Sequence, residues 1–576
     1  MIQVSYFKNV SPEAAGVKSA RVRAFVEGLE QARLSTHNII LARGDRIFYE
    51  NYRAPFGPDV LHRMYSVSKS FVSLAVGFAV QDGLLSLDDT MEKHFERELE
   101  GQNDKYMRAQ TVRNMLMMST AKPAPNWFAS RGADRVADYF ANKAVPSRPG
   151  GTIFQYDSSG SFVLGALVER LCGMPFMDYL RLKLFDKIGV SKEARCLTCP
   201  GGHSWGDSAV LATARDLLAV ARFTMNGGSW QGEQLLDAGY VKDATSKLID
   251  NSPYSTNEYN AQGYGYLIWK CWGEGFAFNG MGCQFAICAP EKDLILIYNG
   301  DNQGLDFAPA LIFNSFYKYI VDTAGDPMPE SVESDWLCEW SDRLTLMSAH
   351  GEPSSPLAGK INGRRFILEP NHMGITEFTL NFDGSEGSFD YKNAQGEKSL
   401  PFGMNKNIFG LFPEEGYSRE VGGVGCPGHR YKCAASAAWL SPERLYLDVQ
   451  IIDDYLGRLG ITFGFIQDSE DGTDGVDRTD CTNCANHASR ADGVNLAECA
   501  NHASHADGAN LADCANHASR TDCANLADCT ENANRVEPAD QPQSSGIKVG
   551  LQMVKTAEDF LNEYSGFAAG YSQSED

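Results

Sequence analysis

The segment MYSVSKSFVSLAVGFAVQDG (64–83) restricts the possible folds of this chain more than any other. Between Phe71 and Val80 it is almost entirely apolar, and a helix that is apolar on every side is buried in a large core. The run is too short to cross a bilayer. Ser66 and Lys69 stand at its beginning, three residues apart, so their side chains lie on one helical face. A large layered domain is expected around this helix.

A serine hydroxyl beside a lysine suggests nucleophilic chemistry. Serine is a weak nucleophile until a base removes its proton, and a lysine desolvated by an apolar helix can become that base. Backbone N–H groups at the helix N-terminus can stabilise an oxyanion. An S-x-x-K pair also arises by chance, in a capped helix with a surface lysine, so the rest of the sequence must decide.

Residues 1–345 alternate helix patterns with strand patterns, which predicts an α/β layered domain with one sheet flanked by helices. Two β-rich runs flank the turn Gly44-Asp45 and predict a hairpin. Thr213 begins a capping-box pattern and predicts a helix start. Two further strands and a closing helix are predicted at GYGYLIW (263–269), CQFAICAP (283–290) and ALIFNSFYKYIV (310–321).

Together these features resemble the penicillin-recognising serine hydrolases, specifically the class C β-lactamase, D-aminopeptidase and esterase family. Ser66 and Lys69 match its S-x-x-K element. The resemblance implies an α/β (α+β) β-lactamase/transpeptidase-like domain, an antiparallel sheet flanked by helices, and a serine hydrolase that forms an acyl-enzyme on Ser66. Other matching segments follow in the family's order: TVRNMLMMST (111–120), PGGTIFQYDSSGSFVLGALVERLCG (149–173), LATARDLLAVARFTMNGG (211–228) and APEKDLILIY (289–298).

The resemblance gives Tyr156-Asp157-Ser158 the place of the family's Y-x-N element. Tyr156 would carry a proton between the nucleophile and the leaving group. Ser158 would replace the usual amide as a hydrogen-bonding partner of Lys69 and the substrate. The alternative is a core tyrosine before a helix whose N-cap is Ser158 or Ser159.

The segment Phe278-Asn279-Gly280-Met281-Gly282 stands where the family has K-T-G. Asn279, Gly280 and Met281 are the expected substrate-binding and oxyanion residues, with the N–H of Met281 joining that of Ser66. Phe278 replaces the basic residue, which disfavours β-lactam hydrolysis and favours an ester, an amide or a short peptide as substrate. A plain buried strand with glycines at a bulge is the alternative for this segment.

The lost cation and the serine at position 158 leave a second function open, a catalytically inactive binding or scaffolding homologue of the same fold. The proposed chemistry needs no cofactor. The sequence contains no H-E-x-x-H element, and no metal site is predicted.

After a linker at 346–358 the pattern changes to short alternating runs, which predict an antiparallel β-barrel because short strands must avoid free edges. The barrel is predicted from 359–469 and 547–566, ending in a strand and a tail helix, and resembles the lipocalin-like domains of some D-aminopeptidase relatives. The interrupting residues 470–546 repeat CANHAS every 15 residues. They are too poor in apolar side chains to bury a core and are predicted to be disordered, with metal binding by Cys and His as the alternative.

The acidic composition narrows the expected partners. The chain carries 74 acidic and 51 basic residues, a formal charge of −23, and would repel phosphate backbones and anionic membranes. Neither nucleic acid nor a membrane is therefore expected as a partner, and the resemblance implies a small-molecule ester, amide or short-peptide substrate. The N-terminus lacks the basic and apolar regions of a secretory signal, which predicts a cytoplasmic location. The oligomeric state stays open.

Overall fold

The computed structural model describes residues 6–101, 103–124, 127, 134–141, 147–255, 257–416, 426–466, 547–556 and 566–572. The predicted disordered insert at 470–546 and the predicted tail helix after Thr556 lie outside the described residues.

Within the described residues, all helices and the first twelve strands lie between residues 6 and 361. The helices are α1 Ser19–Gln31, α2 Ser68–Gln81, α3 Met91–His94, α4 Lys105–Ala109, α5 Val112–Leu116, α6 Arg135–Ala141, α7 Ser158–Cys172, α8 Phe176–Leu180, α9 Asp186–Ile188, α10 Ala214–Met225, α11 Ala238–Ala244, α12 Ala308–Phe316, α13 Val332–Ser341 and α14 Ala358–Ile361. Short 3-10 or π segments are Glu13–Ala15, Tyr65–Val67, Arg181–Phe185, Pro290–Lys292 and Tyr317–Val321. The strands are β1 Lys8–Asn9, β2 Thr36–Arg43, β3 Arg46–Tyr52, β4 His62–Arg63, β5 Arg195–Cys196, β6 Val210–Ala212, β7 Ser229–Trp230, β8 Glu233–Gln234, β9 Trp269–Lys270, β10 Phe276–Gly280, β11 Gln284–Ala289 and β12 Leu294–Gly300.

A seven-stranded sheet forms the centre of this region, in the order β1-β3-β2-β12-β11-β10-β9. All neighbours are antiparallel except β1 and β3, so the predicted antiparallel sheet flanked by helices is confirmed. Alternate residues of β12 face opposite layers: Ile295 and Ile297 pack with the core of α2, α7 and α10, and Leu294 and Leu296 with that of α1 and α12. The sheet thus has helices on both faces.

Helix α2 is buried on all sides, as its composition predicts. Every residue from Ser68 to Ala79 is buried, and α7 and α8 pack against it. Its polar residues are therefore held in the protein interior. A buried lysine in this position needs specific partners, because an unpaired charge is costly in an apolar environment.

Several local predictions are confirmed and one is wrong. The hairpin at Gly44-Asp45 joins β2 to β3, and Thr213 forms a capping box at the start of α10. The run GYGYLIW, predicted as a strand, contributes only Trp269 to a strand, because Leu267 has a left-handed φ of 55° that interrupts an extended chain. The N–H of Leu267 instead bonds to the carbonyl of Leu116.

The C-terminal strands form a closed barrel. They are β13 Arg365–Leu368, β14 Glu377–Asp383, β15 Glu386–Asn393, β16 Gly396–Met404, β17 Ile408–Leu411, β18 Lys432–Ser441, β19 Arg444–Ile452, β20 Leu456–Ile466, β21 Lys548–Thr556 and β22 Gly566–Ser572. Nine of them close the ring, since β22 pairs with β13 and β16 pairs in parallel with β18, while β17 lies outside on β18. The predicted barrel is confirmed, but it extends past residue 566, the predicted end, by the strand β22.

Within the described residues no single helix is both long and apolar enough to cross a membrane, although the bent pair Ser158–Cys172 and Phe176–Ile188 meets these criteria when taken together.

Candidate active site

Ser66 lies on a single 3-10 turn, Tyr65–Val67, that leads into α2. The preceding strand β4 pairs with β6, and the Met64 N–H donates to the carbonyl of Val210 at 2.8 Å. At the start of α2 the hydroxyl of Ser68 accepts the N–H of Val210 at 2.9 Å. Residues on both sides of Ser66 are therefore anchored to the same strand, and Ser66 itself stays half-buried and accessible.

Lys69 has its amine at the serine hydroxyl, as the spacing predicts. Its Nζ donates to Ser66 Oγ at 2.8 Å and to the main-chain carbonyl of Asp207 at 2.6 Å. Its side chain is 1% exposed. The surface-lysine alternative is therefore wrong, and the amine can exchange a proton with the hydroxyl directly.

Tyr156 is the third predicted catalytic residue, and its aromatic ring, rather than its hydroxyl, faces the Lys69 amine. The Lys69 Nζ lies 5.0 Å from the ring centroid, and the ring stacks on Trp269 at 5.7 Å. Among the described residues no hydrogen bond joins the Tyr156 hydroxyl to Ser66 or Lys69. The structure thus brings Tyr156 to the amine, while its role in proton transfer stays a prediction.

Within the described chain no hydrogen bond joins Ser158 to Lys69. Ser158 is the first residue of α7, and the N-cap is Asp157, whose carboxylate accepts the N–H of Gly160. The alternative in which Ser158 or Ser159 forms the cap is therefore wrong. Burial raises the pKa of Asp157, and hydrogen bonds from Ser159 and Thr120 oppose that rise. A substrate role for Ser158 stays a prediction.

Gly280, at the end of β10, lies against the nucleophile turn. A Cβ at this position would stand 2.5 Å from the Met64 carbonyl oxygen and 3.2 Å from the Ser66 nitrogen. Only glycine permits such a close approach of two backbones. The predicted requirement for glycine here is therefore explained by a neighbouring main chain.

Met281 follows Gly280 in a turn that Gln284 fixes. The Gln284 side-chain amide donates to the carbonyl of Met281 at 2.9 Å and to that of Gly300 at 2.6 Å. Asn279 pairs with Phe285 in the sheet and is half-buried. These contacts hold the turn beside Ser66. The oxyanion role of Met281 and the substrate role of Asn279 stay predictions.

Asp207 is an acidic residue of the site that no sequence motif singles out. Its carboxylate is fully buried, and neither oxygen has a hydrogen bond within the described residues. Burial raises its pKa to about 6, and the nearby Lys69 charge opposes this rise. Asp207 and Lys69 are 138 residues apart in the sequence and come together only when the chain folds, so no local motif contains both.

Replacing Asp207 with Asn should change how stability depends on pH. The pKa of this carboxyl is about 6 in the folded protein against an ordinary 3.8, so its contribution to stability is complete below pH 4 and is lost as the pH rises through 6. Relative to the wild type, Asp207→Asn should therefore gain up to about 3 kcal/mol in free energy of unfolding between pH 4 and pH 7. Urea unfolding at four pH values measures this, with the exposed Asp59→Asn as control. An equal difference at all four values would contradict it.

Phe278, in the position of the family's cation, is fully buried in the core on the α2 side of the sheet. It therefore presents no polar group to a ligand. Within the described residues, no group of three or more Cys, His, Asp or Glu side chains is arranged to hold a metal ion.

The chain is similar to known hydrolases. The 6-aminohexanoate-dimer hydrolase of Paenarthrobacter ureafaciens is 26% identical over 221 residues, 36% of this chain and 56% of that relative, so this chain spans little more than half of it. Among solved structures, EstCE1, a hydrolase with promiscuous acyltransferase activity, is 15% identical over 52% of this chain and 98% of its own, with a TM-score of 0.43. The octameric penicillin-binding protein homologue from Pyrococcus abyssi is 16% identical over 76% and 97%, with a TM-score of 0.40.

The profile of the beta-lactamase family matches residues 21–310, half of the chain. This range contains the seven-stranded sheet apart from β1, together with Ser66, Lys69, Tyr156 and Gly280. The chain belongs to the beta-lactamase family.

Proposed function

We propose that the protein is a serine hydrolase that cleaves an ester or an amide bond, including the peptide bond of a short peptide, through an acyl-enzyme on Ser66. The observation that carries the proposal is the 2.8 Å hydrogen bond between Lys69 Nζ and Ser66 Oγ, made by an amine that is otherwise enclosed by protein. A hydroxyl and an amine at this distance can transfer a proton without rearrangement.

In the first half of the reaction, Ser66 Oγ bonds to the substrate carbonyl carbon while its proton passes to the neutral amine of Lys69. The carbonyl oxygen becomes an oxyanion, for which the N–H groups of Ser66 and Met281 are the proposed donors. The bond to the leaving group then breaks. The leaving group takes the proton from Lys69, and the nearby Tyr156 is the proposed carrier.

In the second half, water attacks the acyl carbon and gives a proton to Lys69, which returns it to Ser66 as the acid leaves. The atoms balance as hydrolysis, with one water consumed. An amine or alcohol in place of water would give acyl transfer by the same steps. No redox step and no cofactor enter this scheme.

The substrate class follows from the group missing on β10. Phe278 is buried and supplies no cation for a substrate carboxylate, so β-lactams should be poor substrates. Recognition of esters, neutral amides and short peptides does not require a cation at this position. Hydrolysis of a 6-aminohexanoate dimer, the activity in the name of the bacterial relative, belongs in the test panel beside simple esters, D-amino-acid amides and nitrocefin.

The proposal is tested by covalent labelling. A fluorophosphonate probe reacts with an activated serine, and we expect one adduct in the intact mass, located by peptide mapping to the tryptic peptide that contains Ser66. Ser66→Ala should take up no label at this position, while Ser86→Ala, at an exposed serine, should label like the wild type. A native protein that neither labels nor hydrolyses any panel member would instead support the inactive scaffolding homologue.

A further inference from the structure

The residue before the nucleophile has an unusual backbone conformation. Tyr65 has a φ of 44°, in the left-handed region, although it is a bulky aromatic residue. Such residues avoid this region because Cβ approaches the carbonyl oxygen. The conformation persists only where surrounding contacts hold it. Since Tyr65 is bonded directly to Ser66, its backbone dihedral angles orient the main chain of Ser66, from which the hydroxyl projects.

The barrel supplies those contacts. The Tyr65 hydroxyl donates to the carbonyl of Leu456 at 3.1 Å and accepts the N–H of the same residue at 3.0 Å. Leu456 is the first residue of β20. Its carbonyl also accepts the side-chain amide of Gln303 at 3.0 Å. Both polar groups of one barrel residue therefore bind the phenol next to the nucleophile, and Tyr65 and Leu456 are both buried.

A second set of contacts fixes the turn between β19 and β20. The Arg63 guanidinium lies over the rings of Tyr65 and Tyr455, at 4.9 and 4.3 Å from their centroids. It also donates to the carbonyl of Asp454 at 3.3 Å. The Asp454 carboxylate forms an ion pair with Arg195 at 3.0 Å. The turn is thus attached to the first domain through Arg63 and Arg195 as well as through Tyr65.

We infer that the β19–β20 turn of the barrel, with Leu456, is a positioning element for the nucleophile, acting through the hydroxyl of Tyr65. This inference rests on the proposed function, since it requires Ser66 to be the reacting group. The contacts offset the strain at Tyr65 and keep the Ser66 hydroxyl aligned with Lys69. Without them the residue relaxes toward a negative φ and the hydroxyl turns away from the amine.

The first test uses Tyr65→Phe in the full-length protein with p-nitrophenyl acetate, a small ester that makes few contacts beyond the reacting atoms. We expect kcat to fall about tenfold to a hundredfold with KM changed less than about twofold, because the loss concerns alignment rather than binding. Tyr49→Phe removes the hydroxyl of another buried tyrosine, bonded to Ser341, and should leave kcat unchanged. A native-like Tyr65→Phe with wild-type kcat would overturn the inference.

The second test compares Tyr65→Ala with Tyr65→Gly. Both remove the ring and its contacts equally, but glycine adopts a positive φ without strain. Tyr65→Gly should therefore be at least about fivefold more active per folded molecule than Tyr65→Ala. Equal activity, or a more active alanine variant, would show that Tyr65 acts only by packing. Turnover by Ser66→Ala would refute the proposed function itself, whereas an inactive Ser66→Ala beside a fully active Tyr65→Phe would refute only the positioning role.

Discussion

Replacing Lys69 with Met should lower kcat for a simple ester about a thousandfold, because the serine then loses the group that takes its proton. The methionine side chain is close in size to the lysine stem, so the buried space stays filled. Lys69→Arg should be almost as inactive, since a guanidinium keeps the charge but does not give up a proton in proteins. Steady-state kinetics from pH 5 to pH 10 measure both variants.

A matched control comes from the same domain. Lys122 is also buried, and it pairs with Asp104 at 3.2 Å. Lys122→Met should cost stability, because the largely buried Asp104 carboxylate loses its cationic partner, yet it should keep the wild-type kcat per folded molecule. If Lys69→Arg retained more than about a tenth of the wild-type kcat, Lys69 would not be the base.

The alanine variant at Gly280 should lose activity about a hundredfold or more, even though the change is a single methyl group on a residue outside the S-x-x-K element. The new Cβ would meet the Met64 carbonyl at 2.5 Å and the Ser66 nitrogen at 3.2 Å. These are main-chain atoms and have no rotamer by which to move away. The strand or the nucleophile turn must shift, and small displacements of reacting groups reduce the rate steeply.

Gly28→Ala is the control for Gly280→Ala. Gly28 lies inside α1, and a Cβ there has no neighbour within 4 Å among the described residues. Alanine favours the helix over glycine, so this variant should gain about 0.5–1 kcal/mol in free energy of unfolding and keep full activity. Thermal melting and ester kinetics on both proteins make the comparison. Full activity in Gly280→Ala would show that the close approach of β10 does not position Ser66.

Local patterns in the sequence were sufficient for the features that depend on neighbouring residues. The i, i+3 spacing of Ser66 and Lys69 places the amine at the hydroxyl because one helical turn determines the geometry. The Gly44-Asp45 hairpin and the Thr213 capping box follow from equally local rules. The strand predicted at 263–269 is wrong because its conformation does not depend on neighbouring residues alone. Leu267 is left-handed, and its N–H bonds to the carbonyl of Leu116, which is distant in the sequence.

Long-range features of the site gave no sequence signal. Asp207 influences Lys69, and Leu456 binds Tyr65, only because folding brings distant segments together. A prediction from periodicity and spacing does not include such pairs. The family resemblance singled out Tyr156, whose role in proton transfer stays a prediction. The ring that it turns toward Lys69 is held by stacking on Trp269, a contact that no local pattern contains.

The closure of the barrel has a consequence for the order in which the protein matures. Phe366 in β13 pairs with Ser572 in β22, so the ring is incomplete until almost the whole described chain has left the ribosome. Pairing between such distant strands is slow, since the entropy of closing a long loop is lost before the strand contacts that offset it have formed. We therefore expect the nascent N-terminal domain to fold early and to acquire its aligned serine late, which would keep an unfinished chain from hydrolysing anything in the meantime.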